Sequence, residues 1–409
     1  MITRTHPDGA TRSPEAVDAI GVLLGWLERN GLTGYDPYDI MGSARFVRLT
    51  DPSAPAIVRR VLLSARHRYP RATRRLFGVP PTVNAKGVGL LLSAYLRLES
   101  LGYETRDRAD ACAEWLAANP SPGYPGAAWG YPFDWHTRIF IPAFTPSAVV
   151  TATCGQALLD HAEARSDEAS FDSARGAARF LAEGLNRSTN EASDVCLSYT
   201  PLDDFQVHNA SLMAAEYLLR AAQAFAVPEW HELAASCMRF TVADQLDDGS
   251  FEYWAPAQRT STQIDNYHTG FVLRSLDVFA RHGFDTATRA LDACWAHYRD
   301  TMLSAEGRPR NEPGAESPLD IHSCAESVLC PSVLSARYPE ALGLAEAAAR
   351  WTIANMRNRD GTFIHGIWGG HRRTMPYLRW GQAWMLRAFT ELLLAEERML
   401  ASAEDTPAG

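Results

Sequence analysis

The sequence predicts an all-α protein built as an (α/α)6 toroid, in which six inner and six outer helices alternate around a central axis. Apolar residues recur at i, i+3, i+4 and i+7 along almost the whole chain, whereas alternating strand patterns are few. Helices of two kinds also alternate with a period of about sixty residues, which indicates a repeat architecture. Together these two observations favour a ring of helical hairpins.

The inner helices are predicted from segments that are rich in Ala, Gly, Leu and Ser and poor in charge. Helices this apolar on most faces are expected to be buried on most faces. Six such segments start 60, 62, 60, 54 and 56 residues apart, at Lys86, Pro146, His208, His268, His322 and Leu378.

The outer helices are predicted from segments that are more charged and plainly amphipathic. They cover residues 54–69, 107–119, 170–185, 228–245, 286–302 and 340–357, and a further helix around 14–30 leads into the ring. An open solenoid is the alternative, but neither terminal repeat has the polar face of a capping repeat, so we expect a closed ring. The chain is therefore expected to form one toroid domain over residues 14–398, between a disordered N-terminus (1–13) and a disordered tail (399–409).

Composition restricts the class of protein. A net charge of −9 with scattered arginines argues against a nucleic-acid-binding surface, because neutralising phosphates needs clustered basic residues. No stretch of 18 apolar residues is present, so no membrane span is expected. Seven widely spaced cysteines without a CxxC pair, and a polar N-terminus unlike a signal peptide, predict a cytoplasmic protein with reduced thiols.

Three histidines are predicted to meet at one mouth of the toroid. His208, His268 and His322 occupy equivalent positions where inner helices begin, in "VHN", "YHT" and "IHS". In a closed ring the segments that feed the inner helices gather at the same end, so side chains at the same repeat position are expected to converge on the axis. We therefore predict a functional cavity at this end of the toroid.

Aromatic, carboxylate and arginine side chains lie in the same connections. Trp and Tyr stack on sugar rings, Asp and His bind hydroxyls, and Arg binds a carboxylate in bidentate fashion. The sequence therefore predicts an acidic saccharide or glycan as the partner. The expected substrate-binding residues are Trp129, Asp134, Trp135, Arg138, Tyr199, Asp204, Tyr253, Asp265, His322, His365, Trp368, His371, Tyr377, Arg379 and Trp380.

Motifs for metals and nucleotide cofactors are missing from the sequence. It has no HExxH, CxxC or His-x-His spacing, so a zinc site would have to be assembled from histidines of separate repeats with Asp320 or Cys324. It also has no GxSxG, GxGxxG or Walker motif. We therefore expect neither a metal nor a cofactor.

The segments "AAWGYPFDWHTR", "DGSFEYW" and "DNYHTGFVLRSL" resemble a bacterial group of all-helical toroid proteins encoded with polysaccharide biosynthesis genes. "DNYHTGF" is also similar to the Asp-Tyr-His-Thr stretch in the helical domain of glucuronyl C5-epimerases, which maps onto Tyr267, His268 and Thr269. Those epimerases carry an additional strand-rich domain, for which this chain has no room. The toroid is shared with polysaccharide lyases, unsaturated glucuronyl hydrolases and terpenoid cyclases, so the fold alone does not choose a reaction.

The first functional hypothesis is an enzyme that abstracts the C5 proton of a uronic acid residue, as an epimerase or a lyase. Such a reaction needs a base, an acid on the other face and a group that neutralises the carboxylate. Tyr267 or His268 is expected to transfer one proton, with Tyr131 or His208 opposite. Arg379 or Arg138 is expected to hold the carboxylate.

Three alternatives remain open. A glycoside hydrolase would use paired carboxylates, such as Asp134 with Asp204 or Asp265. A terpenoid cyclase-like enzyme is suggested by the Gln-x-x-Asp-Gly-Ser-Phe stretch from Gln245 to Phe251. A glycan-binding or assembly subunit of an export system would bind the ligand without turnover.

Overall fold

The structure is a computed structural model that describes residues 13–404, and side-chain burial through residue 401. Within this range it contains fifteen α-helices. In chain order, α1 to α15 are Pro14–Asn30, Ala44–Thr50, Ala56–Arg68, Pro70–Leu76, Ala85–Ser100, Arg106–Ala118, Ala148–Arg165, Glu168–Glu183, His208–Phe225, Pro228–Ala243, Asn266–Arg281, Asp285–Thr301, Ile321–Leu334, Glu340–Met356 and Trp384–Glu404. One π-helical turn, Leu378–Ala383, leads directly into α15.

Short antiparallel strands occupy the connections that lead into the inner helices. The strands β1 to β9 of the described chain are Thr33–Gly34, Thr82–Val83, Trp135–His136, Phe140–Ile141, Arg187–Thr189, Val195–Leu197, Leu319–Asp320, Gly366–Trp368 and His371–Arg373. They pair as β1–β2, β3–β4, β5–β6 and a three-stranded sheet in the order β7–β8–β9. These small sheets fix the path of the chain at one end of the helices.

The helices form the predicted (α/α)6 toroid. The inner helices are α5, α7, α9, α11, α13 and α15, and each packs against the next, with α15 closing the ring on α5. Each inner helix also packs against an outer partner, in the pairs α5–α6, α7–α8, α9–α10, α11–α12, α13–α14 and α15–α1. The inner helices are apolar because both the ring axis and the outer layer cover them, as the buried positions along α13 illustrate.

The sixth outer helix is α1, which corrects the prediction that the segment 54–69 fills this place. Helix α1 buries Ile20 and Leu23 completely and packs against α14 and α15. Helix α3 has no buried residue, and its Ile57 and Val61 are 74% and 59% exposed. An amphipathic pattern shows that a helix has an apolar face but not what covers that face. The sequence alone therefore did not show which of α1 and α3 is the sixth outer helix.

The last helix extends further than predicted. Helix α15 continues to Glu404, so the boundary expected at residue 398 lies inside it; Ala and Glu in "ASAE" have high helix propensity. At the other end, the backbone N–H of Ser13 donates to the Glu396 carboxylate at 3.0 Å. The rest of the predicted disordered ends, 1–12 and 405–409, lies outside the described residues.

The structure also bears on the predictions about membrane spans and cysteines. No helix in the described part of the chain has both the length and the hydropathy of a membrane span. All seven cysteines are buried and unpaired.

Candidate functional site

Side-chain caps set where the inner helices start. Asp265 accepts a hydrogen bond from the backbone N–H of His268 at 3.0 Å, and Asp320 accepts one from that of His322 at 2.8 Å. Such caps satisfy backbone donors that have no partner within the helix. As a result, His268 and His322 occupy the first turns of the neighbouring helices α11 and α13, at the same end of the toroid.

His322 lies inside a box of aromatic rings. The Tyr267 ring stacks on it with a centroid distance of 4.5 Å and an angle of 3°. Trp380 and Trp384 approach its other sides at 4.5 and 4.8 Å. The Tyr38 ring packs edge-on against Trp380 at 5.3 Å and extends the wall.

Both ring nitrogens of His322 are buried without a hydrogen-bond partner in the described part of the chain. Burial, with added repulsion from Lys86 and Arg379, lowers the pKa of His322 well below its usual value. The imidazole is therefore neutral. An unsatisfied buried polar group costs free energy, so the two unpartnered ring nitrogens make His322 a candidate to bind a ligand.

His268 forms a dyad with Asp265. Its Nδ1 lies 2.7 Å from the second carboxylate oxygen of Asp265, and its side chain remains 19% exposed. The Tyr267 and Tyr253 rings lie 4.2 and 4.5 Å from the imidazole, centroid to centroid. When Nδ1 carries the hydrogen and donates a hydrogen bond to the Asp265 carboxylate, Nε2 keeps a lone pair that can accept a proton.

The phenols around this dyad are protonated. Burial is the first cause that raises the pKa values of Tyr253 and Tyr267, and the Asp265 carboxylate is the second. Burial also raises the pKa of Tyr38. Neither Tyr253 nor Tyr267 donates its hydroxyl to another described residue. These hydroxyls are available as proton donors.

The carboxylates near the site are already engaged. Asp36 forms two hydrogen bonds with the Arg379 guanidinium, at 2.6 and 2.9 Å. Asp320 accepts from the Trp380 indole N–H at 2.6 Å. Asp134 accepts from the backbone N–H of Ala143 at 2.8 Å and braces its own loop.

Both arginines predicted to hold a substrate carboxylate have protein partners. Arg379 is 3% exposed and paired with Asp36, and its guanidinium lies 5.0 Å from the Tyr131 ring centroid. Arg138 lies over the Trp254 ring at 3.7 Å and donates to the Gln258 carbonyl at 3.0 Å. Their cationic groups are therefore oriented by the protein itself.

Lys86, in the first turn of α5, lies below the aromatic box. Its side chain is 4% exposed, and its amine is 5.5 Å from the Phe271 ring centroid and 5.6 Å from that of Trp384. Within the described residues it has no carboxylate oxygen within 4.0 Å and no hydrogen-bond partner for the amine. Burial first, then Arg379 and Arg274, lower the pKa of Lys86 to about 7.

Three predicted aromatic residues form one continuous wall with this cluster. Tyr131 meets Trp135 edge-on at 5.8 Å, and Trp135 packs against Tyr199 at 5.6 Å. The side chain of Tyr131 also faces Arg379, which connects this wall to Trp380.

A second group of predicted residues lies behind Asp320. The His365 ring packs against Trp368 at 4.8 Å and Tyr377 at 5.1 Å, and its Nε2 is 3.5 Å from an Asp320 oxygen. Arg373 covers the Trp368 ring at 3.8 Å. These side chains support Asp320. The Asp320 carboxylate in turn caps α13 and orients Trp380.

His208 does not join the other two histidines. Its ring lies near Phe240 and Phe251, with Nε2 3.4 Å from Asp244 at the end of the outer helix α10. His208 is the first residue of its helix, whereas His322 is the second and His268 the third. Each residue rotates a side chain by about 100° around a helix axis, so an offset of one or two residues changes the direction of the ring.

Three further predicted residues lie apart from the cluster. Trp129 is 1% exposed and donates its indole N–H to the Leu116 carbonyl at 3.1 Å, so it belongs to the core. Asp204 and His371 are exposed at the surface.

Several residues of the site were not predicted from the sequence. Asp36 and Tyr38 come from a loop before the first repeat, so no equivalent repeat position pointed to them. Trp384 lies inside a helix and looked like core. Lys86 carried a signal, because it is the only lysine among 39 basic residues of the whole chain.

Metal ligands do not cluster at this mouth. Across the residues that the structure describes, no group of three or more His, Cys, Asp or Glu side chains is arranged to hold a metal ion.

A cavity of about 390 Å³ lies at the opposite end of the inner helices. Its charged residues compensate one another: Asp160 pairs with Arg97 and Arg220, and Glu391 pairs with Arg387. Trp384 lines this cavity and also packs on His322. We assign the candidate site to the histidine mouth, because the Asp265–His268 dyad and both unpartnered ring nitrogens of His322 lie there.

The fold places the chain in the class of α/α toroid proteins, and solved structures agree. It is similar to an unsaturated glucuronyl hydrolase specific for heparin, with a TM-score of 0.62, 10% identity, and 95% of this chain and 97% of that chain covered. A polysaccharide lyase gives a TM-score of 0.55 and 14% identity, with 97% and 99% covered. A cellobiose 2-epimerase from Bacillus thermoamylovorans gives 0.58 and 11%, with 77% and 88% covered.

These identities establish the fold and no more. No protein-family model matches the chain, and no curated protein matches it.

Proposed function

We propose that the protein is a carbohydrate-active enzyme that moves the C5 proton of a uronic acid residue, as an epimerase or a lyase. The observation that carries this proposal is the Asp265–His268 dyad next to the unbonded hydroxyl of Tyr267. The names of the similar structures, which include an epimerase, a lyase and a glucuronyl hydrolase, support a carbohydrate substrate.

His268 is the proposed base. Its Nδ1 is held by Asp265, which leaves Nε2 to take a proton and stabilises the imidazolium that forms. Histidine is the side chain that most often serves as a general acid or base in enzymes. Asp265 thus acts through His268 and does not itself touch the substrate.

Phenols are the proposed acids. Tyr267 is kept protonated by burial and by Asp265, so it can donate a proton but cannot act as the initial base. Tyr131, on the wall formed with Trp135, is the candidate for the opposite side of the sugar. Burial raises its pKa as well, which keeps its proton available.

Epimerase and lyase share the first step and differ in the second. In both, His268 takes the C5 proton while the electron pair moves toward the carboxylate of the sugar. An epimerase then returns a proton to C5 on the other face, whereas a lyase expels the substituent at C4 and leaves a C4–C5 double bond.

The first test replaces the two proton-transfer groups. We expect His268→Ala and Tyr267→Phe each to lower the rate of C5 proton loss, followed as deuterium incorporation at C5 or as C4–C5 double-bond formation, by about 10²- to 10⁴-fold, the usual contribution of general acid–base catalysis. NMR of a glucuronate-containing oligosaccharide in D2O gives the rate, and denaturant unfolding confirms that the variants fold.

His231→Ala and Tyr69→Phe are matched controls, because these side chains are 44% and 59% exposed on the outer surface. Both should retain the wild-type exchange rate. Unchanged exchange in both site variants would refute the assignment of His268 and Tyr267.

A glycoside hydrolase is the second candidate, favoured by the likeness to an unsaturated glucuronyl hydrolase. It requires one protonated and one ionised carboxyl group. Asp134 accepts from a loop N–H, Asp265 is held by His268 and Asp204 is exposed at the surface, which favours the dyad over a carboxylate pair. Release of a reducing sugar without an unsaturated product would identify hydrolysis.

The remaining alternatives receive less support. Gln245, in the stretch that suggested a cyclase, donates to the carbonyls of Gly249 and Ala290 at 2.9 Å each and holds a turn. A glycan-binding subunit would bind the same ligands through the same wall, and binding without turnover would identify it.

A further inference from the structure

The protein uses lysine only once. Of its 39 basic residues, 38 are arginines, and the single lysine is Lys86, which is buried below the aromatic box. A chain that otherwise carries every side-chain cation on arginine has an amine only at this position. The distribution raises the question of what an amine does there that a guanidinium cannot.

Other cations near Lys86 have their own counter-ions. Arg379, from the π-helical turn, pairs with Asp36. Arg274, on α11, pairs with Glu326 of α13, with an N–O distance of 2.7 Å. The two arginines and two carboxylates cancel, so protonated Lys86 carries the excess positive charge.

The other titratable groups that face Lys86 are neutral. They are Cys154 on α7, whose pKa burial raises, and His322 on α13, whose pKa burial lowers. Neither supplies a negative charge in its usual protonation state. Glu326 raises the pKa of Lys86, but its carboxylate is already paired with Arg274, and no carboxylate of the described residues lies within 4.0 Å of the Lys86 amine.

An amine tolerates this environment better than a guanidinium. A buried arginine stays charged and would need a permanent partner, whereas a lysine can release its proton when no anion is present. Burial and the two arginines lower the pKa of Lys86 to about 7, so near neutrality it exists in both forms. An anion beside it would favour the charged form.

We propose that Lys86 is the specificity residue that binds the carboxylate of the substrate, and that its amine becomes protonated when that carboxylate binds. The inference rests on the proposed function in that the ligand is a uronate. It replaces Arg379 and Arg138 in that role, since both have protein partners. The aromatic wall then stacks the sugar ring while the single amine selects an acidic sugar over a neutral one.

The binding of an anion is consequently linked to pH. Below about pH 7 Lys86 is already charged and uronate binds without proton uptake. Above it each uronate bound requires one proton, so the affinity falls by up to about tenfold per pH unit.

One lysine in the chain makes the test direct. Protein labelled with [6-13C]lysine gives a single side-chain signal, whose chemical shift reports the titration of Lys86. We expect a midpoint near 7 without ligand, and an upward displacement of at least one pH unit with saturating sodium glucuronate. The methyl ester of glucuronate, with the same ring but no charge, should leave the midpoint in place.

The proposal is overturned if glucuronate leaves the midpoint unchanged, or if the methyl ester displaces it equally. A kinetic arm uses Lys86→Met, with Arg106→Met as the control, because Arg106 is 62% exposed on the outer layer. At pH 6.5 we expect Lys86→Met to raise KM for a uronate-containing oligosaccharide at least tenfold, and Arg106→Met to leave it unchanged. An unchanged KM in Lys86→Met also overturns the proposal.

These outcomes separate the two proposals. If the wild-type protein exchanges the C5 proton but the Lys86 signal ignores glucuronate, only the role of Lys86 fails. If the midpoint moves with glucuronate while no uronate either exchanges its C5 proton or forms a C4–C5 double bond, the anion site stands and the proposed reaction fails.

Discussion

At the scale of single residues, Asp265 has two roles that its two oxygens divide between them. One oxygen accepts the backbone N–H of His268 and caps α11, while the other accepts from the Nδ1 of the same histidine. The cap is expected to stabilise the fold, and the contact with the imidazole is expected to support catalysis. A pair of substitutions can separate them.

Asp265→Asn should preserve the cap and weaken catalysis. Asparagine caps helices about as well as aspartate, so stability should change by only a few tenths of a kcal/mol, whereas Asp265→Ala should cost about 1 kcal/mol. Without the carboxylate charge to stabilise the imidazolium, C5 exchange should fall roughly 10²-fold in both variants. Urea unfolding and the exchange rate, measured on the same samples, test this; equal activity of Asp265→Asn and wild type would contradict the role.

The residues of the site were predictable to different degrees. Tyr267 and His268 could be proposed from the polar start of an apolar helix, and His322 from its repeat position. Repeat position alone failed to orient His208, because a difference of one or two residues in helix start rotates the ring away. Lys86 was missed because the first inner helix was interpreted only as buried packing.

At the scale of elements, the outer helix that completes the ring comes from the start of the chain. Helix α1 packs against α14 and α15, and Leu23 in its centre is fully buried. Helix α3 carries a similar apolar pattern, yet its Ile57 remains 74% exposed. Period and hydrophobicity predict helices well, but the pairing of two amphipathic helices depends on contacts between distant parts of the chain.

Matched truncations of these helices test which one closes the toroid. Leu23→Ala should lower the free energy of unfolding by about 2–5 kcal/mol, as for buried leucines in general. Ile57→Ala should change it by no more than about 0.5 kcal/mol, because its side chain contacts mainly water. Denaturant unfolding of both variants provides the comparison, and a larger loss for Ile57→Ala would contradict the assignment of α1.

At the scale of the whole molecule, closure of the ring brings together residues from both ends of the chain. Asp36, from before the first repeat, pairs with Arg379, from the last inner segment, and both lie next to Tyr131. The toroid could be predicted because the pair of inner and outer helices recurs along the sequence about every sixty residues. The contact between the ends could not, since no repeat position relates Asp36 to Arg379.

The buried amine should also make the stability of the whole protein depend on pH. Between about pH 7 and 10 the unfolded chain binds a proton at Lys86 that the folded protein does not, so Lys86 destabilises the fold most at low pH. Wild-type stability relative to Lys86→Met should rise by about 1.4 kcal/mol per pH unit across this range.

Unfolding free energies of wild type and Lys86→Met at pH 7, 8 and 9 give this slope. Below pH 7 the difference between the two proteins should be constant. Arg106→Met, as the surface control, should follow the wild type throughout, and a pH-independent difference for Lys86→Met would show that its amine titrates normally.

The reaction itself is tested most directly by incubating the wild-type protein with glucuronate-containing oligosaccharides in D2O and recording the C5 position by NMR. We expect deuterium at C5, either in an inverted sugar or in recovered substrate, or loss of the C5 proton with formation of a C4–C5 double bond. Release of a reducing sugar while C5 keeps its original proton would contradict the account and assign the toroid to hydrolysis.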